Sequence, residues 1–474
     1  MSKLASLAKD TAIYGLSSII GRFLNYWLVP LYTRVMPASE GGYGVVTEVY
    51  AWTAFWLVIL TFGMETTFFR FANKEENRSP QVYATVLKLV GGVCLAFIIL
   101  GLCFLQPISE AMGYANHPWW IGMMMLVVAM DSFQCIPFAY LRYQKRPWHF
   151  ASLKLLGIAT NITANLIYYV CMGGRDIGMV FVINLGCTTL TMLLLLPQLR
   201  FREPFDKTLA RHMLGYALPI LLLGIAGILN QVADKMIFKH IYPGTDGEVQ
   251  LGIYGAATKI AMIMAMLTQA FRYAYEPFVF ARSRDADKDL MYANTMKYFV
   301  VFTLLAFLVV VCYIDVLKYI IDSHYWEGLK VVPIVMAAEI MMGIYFNLSF
   351  WYKLTDETHW GAVFSFIGCA VLIVINLVFV PRYGYMACAW AGCAGYATAM
   401  LLSYFVGQRH YPIPYPLRQI GLYVALATTT YAITTLLPPM AQWLTLVVNT
   451  LLLSGFAIVV VRREFWHIIK QKRR

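Results

Sequence analysis

The sequence predicts an all-α polytopic membrane protein with about 14 transmembrane helices, and three observations support this fold class. The first is composition, because the chain is 60% hydrophobic and only 13% charged, whereas soluble domains contain roughly 25% charged residues. The second is a succession of apolar stretches, each close to the roughly 20 residues needed to cross a bilayer core. The third is the concentration of Lys and Arg in alternate loops.

The predicted spans are distributed over the whole chain. They cover residues 11–35, 44–70, 84–106, 118–141, 151–172, 177–198, 212–241, 250–280, 293–317, 328–353, 360–380, 384–407, 418–437 and 441–461. The first apolar stretch is too long for a signal peptide and lacks a small-residue cleavage site, so we expect it to remain as an uncleaved spanning helix.

The loop charges predict the orientation of the chain. Basic loops such as 142–146 and 200–211 alternate with loops such as 107–117 and 438–442, which contain no Lys or Arg. Because positive charge is retained on the cytoplasmic side, both termini are predicted to be cytoplasmic. The net charge of +12 is explained by these loops and by anionic lipid, which argues against a nucleic-acid partner.

The chain also predicts an internal repeat. Aligning residues 42–69 with residues 253–280 superposes similar motifs and places Glu48 opposite Lys259. Six predicted spans separate the two copies, so both copies have the same orientation, and the repeat axis is expected to lie along the membrane normal. In repeats of this kind the substrate site lies between the halves near the midplane.

The repeat suggests three domains. An N-lobe with six spans covers residues 1–205, and a C-lobe with six spans covers residues 206–410. The last two spans and a basic cytoplasmic tail make up residues 411–474.

We interpret about ten of the charged residues in the predicted spans as lying at bilayer depth. They are Arg22, Glu48, Glu65, Asp131, Asp234, Lys235, Lys259, Arg272, Glu276 and Glu339. A charge at bilayer depth costs roughly 2.5–3.5 kcal/mol, so ten lipid-facing charges would exceed the 5–15 kcal/mol or so of net folding stability. These side chains must therefore face protein, as ion pairs that lock helices together, or a hydrated cavity that receives a ligand.

The basic residues are candidates for substrate binding. Arg22 has no acidic residue within one helical turn and shares a face with Asn25, so this pair is the first choice for ligand contact. Arg22 with Lys259 would suit a phosphorylated head group, because Arg binds phosphate oxygens bidentately and Lys acts as a point charge. Arg272 and Lys235 are further candidates for substrate binding. Arg272 could instead pair with Glu276 in the same helix. Lys235 is expected to point away from its neighbour Asp234.

The acidic residues are candidates for ion coupling. Asp131 and Glu339 are single acids in apolar surroundings that could bind and release H⁺ or hold Na⁺, and the alternative is permanent pairing with Arg22. Glu48 and Glu65 are further candidates. No cofactor is expected, since the chain lacks a nucleotide-binding GxxxxGK[ST] motif, and no metal site is expected, because the eight histidines lack ligand spacing.

Four motifs near the amino terminus resemble a known family. They are KDTAIYGLSSIIGRFLN at 9–25, PLYTR at 30–34, GGYGV at 41–45 and GMETTFFRF at 63–71. They are similar to the polysaccharide transporters, also called O-antigen or oligosaccharide flippases, of the multidrug/oligosaccharidyl-lipid/polysaccharide (MOP) exporter superfamily. The predicted spans and repeat extend this resemblance over the whole chain.

The resemblance implies a secondary transporter, not an enzyme. Two six-helix lobes would enclose a cavity that opens alternately to either side, as in MATE-like exporters, with the last two helices outside them. The substrate would be undecaprenyl-pyrophosphate-linked oligosaccharide, moved from the cytoplasmic to the outer leaflet of the bacterial inner membrane. Arg22 would correspond to the first-helix cavity arginines of lipid II flippases, and the expected partners are this substrate, membrane lipids and other polysaccharide-assembly proteins.

Two other functions are compatible with the spans. A MATE-like cation or drug antiporter would bind organic cations through acidic cavity residues, and the central Arg22 argues against it. A membrane glycosyltransferase or polysaccharide ligase would act on the same lipid-linked substrate. Such enzymes need a sizeable outer loop, whereas the predicted outer loops here are short.

Overall fold

A computed structural model describes residues 20, 24, 26–36, 41–74, 78–281, 287–355, 357–438 and 440–472. Twelve helices in these ranges are long and apolar enough to cross a membrane, and all the regular elements there are helical. The predicted all-helical, multi-pass fold is therefore confirmed. The number of about 14 spans stays a prediction, because much of span 11–35 lies outside the described residues and helix 417–436 is not among the twelve.

The chain divides into two compact units, residues 1–252 and 253–474. The helices of the first unit are α1 (Leu28–Val35), α2 (Gly42–Thr61), α3 (Met64–Ala72), α4 (Ser79–Cys103), α5 (Leu105–Ala111), α6 (Pro118–Tyr143), α7 (Pro147–Leu166), α8 (Met179–Leu195) and α9 (Lys207–Ile241). Short π and 3-10 turns at Ile167–Cys171 and Leu196–Gln198 extend α7 and α8. The predicted lobes 1–205 and 206–410, and their repeat, stay predictions.

Helix α10 (Gly247–Ala281) begins in the first unit and continues into the second. It is followed by α11 (Lys288–Cys312), α12 (Ile314–Leu317), α13 (Val332–Leu348), α14 (Phe350–Leu354), α15 (His359–Tyr383), α16 (Tyr385–His410), α17 (Leu417–Leu436) and α18 (Gln442–Lys472). Two 3-10 segments, Lys318–Ile320 and Ser323–Val331, connect α12 to α13.

The predicted span 44–70 corresponds to the candidate span Gly42–Ala72, within which the helix is interrupted between α2 and α3. Phe62 and Gly63 both have positive φ angles, 33° and 69°, a backbone conformation that ends a helix. A Cβ atom on Gly63 would lie 2.8 Å from Cγ2 of Ile220. Glycine at this position therefore permits both the positive φ and the close approach of α9.

Close contacts between small residues also join helices in the second unit. A Cβ on Gly368 of α15 would lie 2.7 Å from the carbonyl oxygen of Gly395 in α16, and the reverse distance is 2.8 Å. Two glycines facing each other allow the two backbones to touch, which is a common way to pack helices in a bilayer.

The last two helices are joined to α11 by buried polar contacts. Nζ of Lys297 lies 2.6 Å from Oε2 of Glu464, and both side chains are 9% exposed. The hydroxyl of Tyr423 on α17 donates to Oε1 of Glu464 at 2.6 Å, and Nδ2 of Asn449 donates to the carbonyl of Cys312 at 2.8 Å. Within the second unit, α18 is therefore attached to α11, and α17 is attached to α18.

We predict that Lys297→Met destabilises the protein by about 3–5 kcal/mol, because it leaves the Glu464 carboxylate buried and unpaired. The double variant Lys297→Met/Glu464→Met should recover most of this loss, since no buried charge remains. Thermal unfolding of the purified protein measures both effects.

The matched control is Lys330→Met, whose partner Glu327 forms a pair with side chains 50% and 61% exposed. An exposed pair contributes at most about 1 kcal/mol. Equal losses for Lys330→Met and Lys297→Met would contradict an anchoring role of the buried pair.

Candidate functional site

Some of the predicted substrate-binding residues cannot be placed. Arg22 and Asn25 lie outside the described residues, as does the side chain of Glu276, the alternative partner of Arg272. Their roles stay predictions. The other candidates lie on described helices, and their surroundings differ from one another.

Glu48 is the most deeply buried of the candidates that the structure describes. Its side chain is 0% exposed, and Oε2 accepts a hydrogen bond of 2.7 Å from the hydroxyl of Tyr114. Nζ of Lys239 lies 3.7 Å from the same oxygen and 2.6 Å from Oε1 of Glu248. One ammonium group thus pairs with two carboxylates, so the buried Glu48 carboxylate has a cationic partner as well as a hydrogen-bond donor.

Tyr114 completes this network, which we call the Glu48 cluster (Glu48, Tyr114, Lys239 and Glu248). Burial and the neighbouring Glu48 carboxylate raise the pKa of Tyr114 well above its usual range, so its hydroxyl keeps the proton that it donates. Nζ of Lys239 lies 3.9 Å from the centre of the Tyr114 ring and also donates to the carbonyl of Met112 at 3.0 Å. The cluster therefore joins α2, the segment after α5, the end of α9 and the start of α10.

The backbone geometry beside the cluster requires glycine. A Cβ on Gly44 would lie 1.8 Å from the carbonyl oxygen of Glu248, and a Cβ on Gly41 would lie 2.4 Å from Oε2 of the same residue. The beginning of α2 therefore lies directly against the first turn of α10, at the place where Lys239 pairs with both carboxylates.

Lys239 was missed by the sequence analysis. The available signal was its position at the end of predicted span 212–241, on the side where the loops contain little Lys or Arg. A basic residue there departs from the usual charge distribution and indicates a local acidic partner.

The expectation that Lys235 points away from Asp234 is wrong. Nζ of Lys235 lies 3.1 Å from Oδ1 and from Oδ2 of Asp234, and it also donates to the carbonyl of Gln231 at 3.2 Å. Although successive side chains leave a helix in different directions, the flexible lysine side chain is long enough to fold back.

Glu65 forms an ion pair with Arg142 on α6. The guanidinium of Arg142 also lies 5.2 Å from the centre of the Phe69 ring and 5.7 Å from that of Phe150. These contacts join α3 to α6. The coupling role of Glu65 stays a prediction.

Asp131 lies in a polar group formed by α2, α6, α7 and α8. Its Oδ1 accepts a hydrogen bond of 3.2 Å from Thr188, and its carboxylate interacts electrostatically with Lys154. The amide of Asn184 donates to the hydroxyl of Tyr50 in the same region. Nζ of Lys154 lies 4.1 Å from the centre of the Phe138 ring. The sequence analysis missed Lys154, although this residue lies in predicted span 151–172.

The remaining candidates lie in the second unit. Lys259 and Glu339 are half-buried on α10 and α13, and both have interaction partners. Arg272 lies 4.6 Å from the centre of the Phe346 ring and lines a cavity of about 10 Å³ with Asn347. A cavity of this size holds about one water molecule, so in this conformation it is too small for a phosphorylated head group.

The sequence matches one protein-family model and a protein of Haemophilus influenzae. The family model described as "Polysaccharide biosynthesis protein" matches residues 7–274. "Lsg locus putative protein 1" of Haemophilus influenzae is 20% identical over 413 residues, which cover 84% of this chain and 97% of that protein.

Solved structures share the fold at low sequence identity. A structure described as "Lipid II flippase MurJ, inward closed conformation" matches with a TM-score of 0.74 and 14% identity, over 95% of this chain and 99% of that chain. An inward-facing multidrug resistance MATE family transporter of the MOP superfamily matches with a TM-score of 0.62 and 14% identity, over 84% and 94% of the two chains.

We predict that Gly44→Ala destabilises the protein by about 1–3 kcal/mol, because the added methyl group forces α2 away from the first turn of α10. Gly186→Ala is the matched control, since a Cβ at this position in α8 meets nothing within 4 Å. Thermal unfolding of the two purified variants measures the difference. Equal unfolding temperatures would show that the close approach at Gly44 is not needed.

Proposed function

Because the chain belongs to the family of polysaccharide biosynthesis proteins, we propose that it is a flippase for lipid-linked oligosaccharide. The observation that carries this proposal is the fold, which is shared over nearly the whole chain with a lipid II flippase. The substrate is moved from the cytoplasmic to the outer leaflet of the bacterial inner membrane by alternating access. Membrane lipids surround the protein, and other polysaccharide-assembly proteins supply and remove the substrate.

The proposed substrate is an oligosaccharide linked to undecaprenyl pyrophosphate. The pyrophosphate requires cationic partners, and we assign this role to Arg22, Asn25 and Lys259, with Arg272 and Lys235 as further contacts. Support for Arg272 comes from its position beside unpartnered polar atoms, since Thr268 Oγ1 and Asn347 Oδ1 are buried with no hydrogen-bond partner in the described part of the chain. Support for Lys235 is weaker, because its ammonium is paired with Asp234.

Two sources of free energy are proposed to drive transfer. Moving about two negative charges out of a negative interior yields roughly 4.6 kcal/mol per 100 mV of membrane potential. Counter-transport of H⁺ or Na⁺ through Asp131 and Glu339 would add to this and return the empty carrier. Of the other acids, Glu65 is paired with Arg142 and Glu48 with Lys239, which favours Asp131 as the first candidate.

A second candidate function is export of organic cations, supported by the likeness to MATE transporters. It is less favoured, because the MATE likeness covers less of the chain than the flippase likeness. Synthesis or ligation of a polysaccharide is a third candidate that no contact in the described structure specifically supports.

We predict that the purified protein in liposomes transfers lipid-linked oligosaccharide, extracted from the cells that make it, between the two leaflets. A lectin that cannot cross the membrane detects sugar exposed on the outside, and a positive-outside potential should accelerate this exposure. Arg22→Ala should abolish transfer while the protein remains folded, because a cation near the midplane is lost.

Protein-free liposomes and Asp315→Asn, which changes a half-buried pair with Lys318, are the controls. Export of cationic dyes without oligosaccharide transfer would favour the antiporter. A new covalent product would favour an enzyme.

We predict that Asp131→Asn and Glu339→Gln reduce the acceleration of transfer by an imposed pH or Na⁺ gradient, because the neutral side chains cannot exchange a proton or hold a cation. Initial transfer rates with and without each gradient provide the measurement, with Asp315→Asn as the reference. If both variants keep the wild-type response to both gradients, ion coupling through these residues is disproved.

A further inference from the structure

A polar pocket of about 430 Å³ lies in the first unit, where α2, α6, α8 and α10 begin. Its volume falls in the range of small-molecule sites, roughly 300–1,000 Å³. The loops that form it contain few Lys or Arg residues, and the charge distribution assigns them to the outer side of the membrane. Among the residues assigned above to binding pyrophosphate, none of those that the structure describes lines this pocket.

One wall of the pocket is aromatic. His117 is exposed and stacks on buried Trp120, with ring centroids 4.2 Å apart and an interplanar angle of 8°. The indole nitrogen of Trp120 is buried and has no hydrogen-bond acceptor among the described residues. Aromatic rings present an electron-rich face, against which the C–H face of a sugar ring can pack.

The rim of the pocket supplies polar groups with fixed directions. Asp176 accepts a hydrogen bond of 2.8 Å from the backbone N–H of Gly178, and Asp246 accepts one of 3.0 Å from Nε2 of Gln250. Asn116 adds an amide that can both donate and accept hydrogen bonds. Carboxylates and amides beside an aromatic wall match the alternating hydroxyl groups and C–H faces of a sugar.

The negative charge of the pocket favours neutral or cationic sugars over anionic sugars. Asp176, Asp246 and Glu248 line it, whereas no Lys or Arg is among its described lining residues. Lys239 does not line the pocket, and its ammonium group pairs with both Glu248 and Glu48. A ligand with carboxylate or phosphate groups would meet like charge and be rejected.

The same acids do not form a metal site. No group of three or more His, Cys, Asp or Glu side chains in the described part of the chain is close enough to hold a metal ion. We therefore assign the acids to a ligand with several hydroxyl groups and not to a single cation.

Resting on the proposed flippase function, we propose that this pocket binds a neutral or amino sugar of the transported oligosaccharide on the outer side of the membrane. Tyr114 and Glu248 belong both to the pocket wall and to the Glu48 cluster. A sugar in the pocket thus lies against the contacts that join α2 to α9 and α10.

The first test is binding to the full-length protein in lipid nanodiscs. We would titrate methyl glycosides of N-acetylglucosamine, glucosamine and glucuronic acid and follow tryptophan fluorescence. The first two should bind at least about tenfold more tightly than the glucuronide, and the double variant Asn116→Ala/Asp246→Asn should weaken their binding about tenfold, a step of about 1.4 kcal/mol. Glu110→Gln is the control, since Glu110 is exposed on neighbouring α5 and does not line the pocket.

The proposal is overturned if none of the sugars binds, if the glucuronide binds equally well, or if the folded double variant binds like the wild type. A second measurement uses leaflet transfer, in which the double variant should need about tenfold more lipid-linked oligosaccharide for half-maximal rate. Unchanged transfer by that variant would refute the pocket's role in transport while leaving the flippase function intact. Failure of the wild-type protein to transfer any oligosaccharide would instead refute the proposed flippase function itself.

Discussion

The structure depends on one constraint, which is that a bilayer core contains no water to satisfy polar groups. Backbone groups meet this constraint by forming helices, and charged side chains meet it by pairing. The Glu48 cluster, the Lys297–Glu464 pair and the Glu65–Arg142 pair all connect different helices. Charges that are costly to bury therefore serve as specific helix-to-helix contacts in this protein.

The two acids Glu48 and Asp131 have different surroundings. In the Glu48 cluster, one ammonium and one tyrosine hydroxyl contact Oε2 of a fully buried carboxylate, whereas Oε1 has no hydrogen-bond partner among the described residues. Around Asp131, the contacts are a threonine hydroxyl and the electrostatic influence of Lys154. These contacts of Asp131 agree with its proposed role in ion coupling.

The proposed pyrophosphate site is basic, whereas the proposed sugar pocket is acidic. Pyrophosphate needs cations, and these are assigned to residues within the spans, whereas the pocket at the beginnings of α2, α6, α8 and α10 is lined by carboxylates. A substrate with an anionic lipid end and a neutral sugar end matches this separation. The two proposals together assign the two ends of one molecule to two regions of the chain.

The sequence by itself determined the helical membrane fold and the family, because apolar length and short motifs are local properties; the family match over residues 7–274 confirms the latter. It also identified Glu48, Glu65 and Asp131 as charges within the spans. Only the tertiary structure revealed Lys239, Arg142 and Lys154 as their neighbours, the break at Phe62, and the Asp234–Lys235 pair. Pairing depends on how helices distant in sequence pack and on side-chain rotamers, and helical periodicity specifies neither.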